Sequence, residues 1–304
     1  MSGVYRGLIS LGLMMSLFVF PLRVEAGTEL MSNADNFFRL GIEEIRNGNY
    51  SQAHFNLTQA IQLKPNFFAA LSNRCLVNIQ LANYQKAKED CTEAIQSNDQ
   101  HSEVYLNRGL ANDRLGEYKN AIADYNIFLS LKPYDFRGYY NRGLAYFAVN
   151  NYLEAIADFN QALRQNPHLN PEQLATIHND RGLAYFKLGN LEGARQEFSE
   201  AISLDQDNAR AYYNRACVCH KQGYYSQAIR DFSHSLKHSP NQGESYLNRA
   251  LAYHSLGHYE QALEDLQLAA DCFCQQDNQL AYQNTLHLIE QVKQHFSEQT
   301  SILA

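Results

Sequence analysis

The sequence lacks the charge pattern and the short motifs that mark nucleic-acid-binding proteins and the common classes of enzyme. Its 304 residues carry 25 Lys and Arg against 32 Asp and Glu, a formal net charge of −7, whereas binding a phosphate backbone needs a basic face. It has no glycine-rich phosphate loop, no nucleophile motif and no strong metal-binding spacing. An acidic tail and low-complexity runs are missing too, so the charge is that of an ordinary solvated surface. We predict no enzymatic activity, no cofactor and no nucleic-acid partner.

A hydrophobic run long enough to span a membrane is also missing. The apolar stretch LISLGLMMSLFVF near the N-terminus has about 13 residues, fewer than the ~18 expected of a spanning helix. It follows a short segment with one Arg and precedes VEA, the arrangement of a secretory signal peptide. We predict a signal peptide at residues 1–26, cleavage near Gly27, and export to the periplasm or an equivalent lumen. The alternative is an uncleaved N-terminal membrane anchor, because Arg23 lies near the cleavage site.

One nine-residue string recurs along the rest of the chain. The string YYNRGLAYF at residues 139–147 has close copies starting at 71, 105, 178, 212 and 246, spaced by 34 residues at every step but one, where the gap is 39. A fixed period of roughly 20–50 residues is typical of a repeat architecture. With a more divergent copy at Ala34, seven repeats cover residues 34–276. They start near residues 34, 68, 102, 136, 175, 209 and 243, and residues 277–304 follow as a capping helix and tail.

The repeats share small residues at fixed positions, counted from the start of each repeat. Position 8 is small in all seven: Gly41, Cys75, Gly109, Gly143, Gly182, Ala216 and Ala250. Position 20 is always Ala: Ala53, Ala87, Ala121, Ala155, Ala194, Ala228 and Ala262. With an aromatic residue or Leu at position 4 and Pro near the end of four repeats, each unit resembles a tetratricopeptide repeat (TPR), and the resemblance covers about four-fifths of the chain.

The resemblance to the TPR family implies an all-α, right-handed superhelical solenoid of seven helix-turn-helix repeats plus the capping helix. The first helices would line a concave groove, and the seven repeats would form one elongated domain. The first helix of each repeat should end at Gly or Asn in the left-handed conformation, as at Asn150, with Ala82 the exception. The insertion at residues 168–172 should lengthen the first helix of the fifth repeat, with Asn170 as N-cap and Pro171 at the first helical position.

An arginine recurs at position 7, and an acid follows it 16 residues later. The predicted pairs are Arg74 with Asp90, Arg108 with Asp124, Arg142 with Asp158, Arg181 with Glu197, Arg215 with Asp231, and Arg249 with Asp265. The first repeat has Leu40 and Asn56 at these positions, so both charges disappear together. We predict structural, bidentate ion pairs that tie the two helices of a repeat together.

An asparagine recurs at position 6, with no partner evident in the sequence. These residues are Asn73, Asn107, Asn141, Asn214 and Asn248, and Asp180 replaces Asn in the fifth repeat. A row of amides can hydrogen-bond an extended peptide backbone without reading its sequence, and some peptide-binding TPR proteins use such a ladder. The alternative is that each Asn bonds a neighbouring helix, because a buried amide needs a partner. Further predicted groove residues are Tyr140, Phe147, Lys187, Arg210, Tyr213 and Lys221, a mixture that suits an extended or helical segment with some acidic residues.

The six cysteines leave two questions open. Cys75 and Cys91, at positions 8 and 24 of the second repeat, both face the seam between its helices, so they form either a disulfide or two small buried thiols. Cys217, His220 and His254 lie in the predicted groove and are a candidate for metal binding, although scattered His and Cys are usually not ligands.

These observations favour a non-enzymatic scaffold that binds a peptide or protein segment of unknown identity in its concave groove. A second hypothesis is an assembly factor that docks to a membrane or envelope complex, or to another copy of itself, through its convex face or its ends. The third is a metal or small-ligand binder at Cys217, His220 and His254.

Overall fold

The computed structural model describes residues 33–165 and 169–303, and the predicted signal peptide lies outside the described residues. Within these ranges the chain forms fifteen α-helices and no strand. The helices are α1 (Asn33–Arg46), α2 (Tyr50–Leu63), α3 (Phe68–Gln80), α4 (Tyr84–Ser97), α5 (Ser102–Arg114), α6 (Tyr118–Leu131), α7 (Phe136–Ala148), α8 (Tyr152–Gln165), α9 (Pro171–Lys187), α10 (Leu191–Leu204), α11 (Ala209–Lys221), α12 (Tyr225–His238), α13 (Gly243–Ser255), α14 (Tyr259–Gln275) and α15 (Gln279–Leu303).

The described residues fall into two compact units. The first unit, residues 33–165, contains four helix pairs, α1/α2, α3/α4, α5/α6 and α7/α8. Within it, α2, α4 and α6 also pack on the first helix of the next pair. The second unit, residues 169–303, contains the pairs α9/α10, α11/α12 and α13/α14, with α15 packed on α14. Each unit is therefore an all-α solenoid of stacked hairpins. That all seven repeats form one elongated domain stays a prediction.

The small residue at position 8 lets the two helices of a repeat come close together. A Cβ added to Gly109 would lie 2.5 Å from the ring of Tyr125 at position 24, and one added to Gly143 would lie 2.8 Å from that of Phe159. The second repeat fills the same seam covalently, because Cys75 and Cys91 form a disulfide with Cα atoms 5.4 Å apart. Of the two sequence-based alternatives for these cysteines, the structure contains the disulfide.

The first helices end as their sequences predict. Asn150 has φ 64° and the five glycines at position 15 have φ between 75° and 81°, in the left-handed region. Ala82 adopts the same conformation with φ 58°, although it has a Cβ. The turn therefore depends on the position in the repeat and not on Gly alone.

The insertion at residues 168–172 lengthens the first helix of the fifth repeat, as predicted. α9 has 17 residues, begins at Pro171, and is capped by Asn170, whose side chain accepts a hydrogen bond from the Gln173 N–H in a capping box. The equivalent helices α3, α5, α7, α11 and α13 have 13 residues each.

The last helix covers the end of the second unit. Ile289 and Val292 of α15 are buried against Ala262 and Leu266 of α14, so α15 acts as the predicted cap. Leu280, in the first turn of α15, is 75% exposed, so the packed stretch of the helix begins after it.

Candidate functional site

Every predicted arginine lies beside its predicted carboxylate. The shortest nitrogen–oxygen distances in the six pairs are 2.6–2.8 Å. In the second repeat, Arg74 donates from Nε to Asp90 Oδ2 at 2.9 Å and from Nη2 to Oδ1 at 2.6 Å. This fork joins the first helix of a repeat to its second helix, and the buried position of the aspartates makes the pairs structural.

Five of these arginines also reach the preceding repeat, a contact that the sequence analysis missed. Nη1 of Arg142 donates to Asn126 Oδ1 at 2.7 Å, and Nη1 of Arg249 donates to Ser233 Oγ at 2.9 Å. The same contact joins Arg74 to Thr58, Arg108 to Thr92, and Arg215 to Ser199. The signal was present, since the residue 16 positions before each of these arginines is Thr, Asn or Ser. One guanidinium thus fixes the geometry within a repeat and between repeats.

The carboxylates of these pairs have shifted pKa values. Burial raises the pKa of Asp124 and Asp158, and their arginines only partly oppose the shift. Burial would also raise the pKa of Glu197, but hydrogen bonds from His178 and Arg181 outweigh it and lower that pKa. His178 Nδ1 lies 2.9 Å from Glu197 Oε2. The Glu197 carboxylate of the fifth repeat, which stands where the other pairs have Asp, therefore has two side-chain partners, His178 and Arg181.

The position-6 asparagines of the second unit form hydrogen bonds with neighbouring helices. Asn214 Nδ2 donates to Asn179 Oδ1 at 2.9 Å, and Asn248 Nδ2 donates to the Tyr213 hydroxyl at 3.0 Å. Both acceptors stand at position 5 of the preceding repeat. Asp180, which replaces Asn in the fifth repeat, accepts a hydrogen bond from Arg210 Nη2 at 2.7 Å. In this unit the amides fix the packing of adjacent first helices.

The position-6 asparagines of the first unit lack such partners. Asn141 is fully buried, and neither its Oδ1 nor its Nδ2 has a hydrogen-bond partner among the described residues. Asn107, 4% exposed, has a buried Oδ1 that is also without one in the described part of the chain. Among the residues that the structure describes, Asn73 donates only to Ala69 O of its own helix, at 2.7 Å. The preceding position 5 holds Leu106 before Asn141, and an alkyl side chain can neither donate nor accept.

The other predicted groove residues differ in exposure. Lys187 and Lys221 are exposed, and Lys221 Nζ lies 5.2 Å from the centre of the Phe186 ring. Phe147 is partly exposed and packs edge-on against Tyr152, with ring centres 5.3 Å apart.

Tyr140 and Tyr213 do not offer contact surface, contrary to the prediction. Their side chains are 1% and 2% exposed and pack against Phe159 and Phe232. The helical wheel treats one helix alone, whereas adjacent first helices such as α5 and α7 pack on each other and cover part of the face that was assigned to the groove. Arg210 is occupied by Asp180.

The predicted metal patch is wrong as a three-ligand site. No group of three His, Cys, Asp or Glu residues in the described ranges could hold a metal ion. His220 and His254 instead pack edge-on against Tyr225 and Tyr259, each with ring centres 5.3 Å apart, as Phe147 does against Tyr152. Burial raises the pKa of the Cys217 thiol to about 12, which keeps it protonated and a poor ligand.

The third repeat contains a buried acid that the sequence analysis did not single out. Asp113 stands at position 12, where the other repeats have Ile, Phe or His, and its Oδ2 accepts a hydrogen bond from the Tyr125 hydroxyl at 3.3 Å. Its Oδ1 is buried without a hydrogen-bond partner in the described ranges. Burial raises the pKa of Asp113 to about 7. The signal was the joint occurrence of Asp at position 12 and Tyr at position 24.

None of the helices that the structure describes combines the length and the apolar character needed to cross a bilayer.

Solved structures share this fold at low sequence identity. A tetratricopeptide repeat protein from Parabacteroides merdae ATCC 43184 aligns with a TM-score of 0.65 and 21% identity over 84% of this chain and 99% of its own. PilW, a widely conserved type IV pilus biogenesis factor, aligns with a TM-score of 0.63 and 18% identity, over 72% and 98%. YrrB, a TPR protein with an unusual peptide-binding site, aligns with a TM-score of 0.51 and 25% identity, over 65% and 98%. No curated protein matches the chain.

Five family models match segments of the repeat region. Models described as tetratricopeptide repeat match residues 76–136, 136–169, 209–242 and 232–264, and one described as TPR repeat matches residues 182–223. Together they span more than half of the sequence, and the matches to residues 136–169 and 209–242 begin where the fourth and sixth repeats begin. The chain belongs to the tetratricopeptide repeat family, whose members generally serve as scaffolds for protein interactions.

Proposed function

We propose that the chain is a non-enzymatic scaffold that binds an extended protein segment along the first helices of its first unit, residues 33–165. The observation that carries the proposal is the contrast between the two units. Asn214 and Asn248 use their amides within the protein, whereas Asn107 and Asn141 have unpartnered buried atoms in the described chain. A peptide main chain offers the donors and acceptors that an amide needs.

Energetics support this role for Asn141. A buried polar group without a hydrogen bond costs about 1–3 kcal/mol, and Asn141 leaves both amide atoms in that state. Because successive first helices cover Asn141, a bound main chain recovers this energy only when binding turns the amide toward the groove or opens that packing. The peptide-binding site of YrrB, a structural relative at 25% identity, supports a peptide as the ligand. The chain then needs no chemistry of its own.

Side chains beyond the amides set the character of the bound segment. Arg46 and Arg114 are exposed at position 13 of the first and third repeats, as Lys187 and Lys221 are in the second unit. Exposed basic residues on equivalent turns favour a segment with some acidic residues.

We also propose that the protein is exported. The signal-like residues 1–26 support this location, and so does the Cys75–Cys91 disulfide, because disulfides persist in oxidising compartments. An uncleaved N-terminal anchor would place the same domain on the outer side of the membrane, in contact with the same partners.

The test of the binding site distinguishes a loss of peptide affinity from a loss of folding stability. Asn141→Leu replaces an unpartnered amide by an apolar side chain of similar size, and we expect it to stabilise the protein by about 1–3 kcal/mol. Peptides selected on the untagged wild-type protein from a random 12-residue phage library should bind Asn141→Leu at least tenfold more weakly in calorimetry.

Asn248→Leu is the matched control, since it changes the same position in the second unit. It removes the bond to Tyr213, so it should lower stability and leave the affinity of the selected peptides unchanged. Equal affinity for wild type and Asn141→Leu, or a selection that enriches no peptide, would contradict the proposed site.

A further inference from the structure

Two histidines on different helices of the second unit bring ring nitrogens together. His254 Nε2, on α13, lies 3.3 Å from His295 Nδ1, on α15. The ring of His254 is fixed by its edge contact with Tyr259, and Tyr259 in turn packs against Phe296, the residue next to His295. The pair is therefore held by an aromatic cluster at the junction of the last repeat and the capping helix.

The distance between the two nitrogens fits a shared ion. Hydrogen bonds donated by N–H have heavy-atom distances of about 2.7–3.2 Å, so 3.3 Å is long for an imidazole–imidazole bond. Two nitrogens bound at about 2.0–2.1 Å to one tetrahedral ion lie roughly 3.3–3.4 Å apart. We propose that His254 and His295 bind one divalent transition-metal ion, of the class of Zn²⁺ or Ni²⁺, between α13 and α15.

The chemistry of the ligands sets the class of ion. Neutral imidazole suits Zn²⁺, Cu²⁺ and Ni²⁺ and does not suit Mg²⁺ or Ca²⁺. Because no third His, Cys, Asp or Glu of the described residues completes the group, the remaining coordination positions are open to water or to a ligand from another molecule. His295 is exposed and His254 is partly exposed, so an ion reaches the pair from solvent.

Binding at this site would fasten the capping helix. A ligand that binds only the folded arrangement stabilises it, and here the ion joins α15 to a helix of the last repeat. The expected result is slower local opening of α15. The proposal does not depend on peptide binding in the first unit, so either can fail alone.

The experiment uses untagged, full-length mature protein and Ni²⁺ as the probe. We expect one Ni²⁺ to bind in calorimetry, and amide hydrogen exchange in residues 286–297 to slow at least tenfold when it does. His295→Ala and His254→Phe should each lower the affinity at least tenfold and abolish the slowing. His254→Phe keeps the aromatic contact, since Phe147 packs on Tyr152 with the same 5.3 Å separation, so this variant should fold normally.

His287→Ala is the control, because His287 is exposed on the same helix and its ring nitrogen Nε2 lies 3.1 Å from Gln291 Nε2. It should bind Ni²⁺ as the wild type does. Wild-type affinity in His254→Phe, or binding that leaves exchange in α15 unchanged, would show that the ion is held elsewhere, for instance by the four free cysteines, and would overturn the proposal.

Discussion

The arginine at position 7 acts at three contacts at once. In the seventh repeat, Arg249 binds Asp265 through Nε and Nη2, binds Ser233 of the preceding repeat through Nη1, and lies 5.6 Å from the centre of the Tyr246 ring. Lys could not replace it, because a single ammonium cannot supply a planar fork and a third donor in these directions. This explains why one residue type recurs in six of the seven repeats.

Asp113 gives the stability of the protein a pH dependence. The pKa of this carboxyl is about 7 in the folded state and about 3.9 in an unfolded chain. The folded state therefore binds the proton more tightly, and its stability falls as the pH rises from about 4 to about 7. The full difference corresponds to at most about 4 kcal/mol, and less to the extent that water screens the partly exposed side of the group.

Asp113→Asn should remove that dependence. The amide mimics the neutral acid and still accepts the hydrogen bond from Tyr125, so we expect greater stability at pH 8 and little change at pH 4.5. Urea denaturation at the two pH values measures this. The exposed Asp99→Asn is the control and should change neither value. A loss of stability at pH 8 in Asp113→Asn would mean that the ionised carboxylate is the favoured form.

At the scale of single residues, the sequence predicts contacts that lie within one period of the repeat. The pairing of Arg142 with Asp158 is predicted because the first repeat lacks both charges at the equivalent positions. Asn141 and Asn248 could not be told apart, since they occupy the same position in nearly the same string. Their difference depends on Leu106 and Tyr213, which lie in the preceding repeat and contribute through packing between helices.

Among the elements, the turn between the two helices of a repeat is the most uniform. Five repeats place Gly at position 15, and Asn150 and Ala82 adopt the same left-handed backbone. An L-residue in this conformation costs about 1–2 kcal/mol relative to a right-handed one. Ala82 is therefore a strained position at the end of α3.

Ala82→Gly should stabilise the protein. It relieves the left-handed strain and adds about 0.5–1 kcal/mol of conformational entropy to the unfolded chain, so the net gain is roughly 0.5–1 kcal/mol. The midpoint of denaturant unfolding measures it. Gly116→Ala is the reverse substitution at the equivalent position and serves as the control. Because the φ of Gly116 is 76°, this variant should lose about 1 kcal/mol of folding stability. If the Ala82→Gly variant is no more stable than the wild type, the backbone at Ala82 is not strained.

For the whole molecule, the period of the sequence predicts the helix pairs of both units and the cap. It does not predict how much of the predicted groove face is buried. Tyr140 and Asn141 were assigned to the groove by the wheel of a single helix, yet packing between successive first helices buries both. The pair His254–His295 could not be predicted either, because its residues lie 41 positions apart and the second belongs to no repeat.

The location of the protein and its covalent state should agree. The proposed export, with cleavage near Gly27, would expose the chain to an oxidising compartment, in which the disulfide between Cys75 and Cys91 persists. This disulfide fills the seam that Gly and an aromatic ring fill in other repeats. Protein isolated from its native source under denaturing, non-reducing conditions should therefore have the intact mass of a chain that begins near Gly27. Alkylation should modify four cysteines, Cys217, Cys219, Cys272 and Cys274, and all six after reduction.

Reduction of the disulfide should also destabilise the protein, by about 3 kcal/mol for a loop of this length. The double variant Cys75→Gly with Cys91→Phe should restore part of that stability, because it copies into the second repeat the packing of Gly143 on Phe159. This double variant is the control that separates the covalent bond from the space it fills. Six alkylated cysteines in the native protein together with an uncleaved N-terminus would contradict export, because the thiols would then have remained in a reducing compartment.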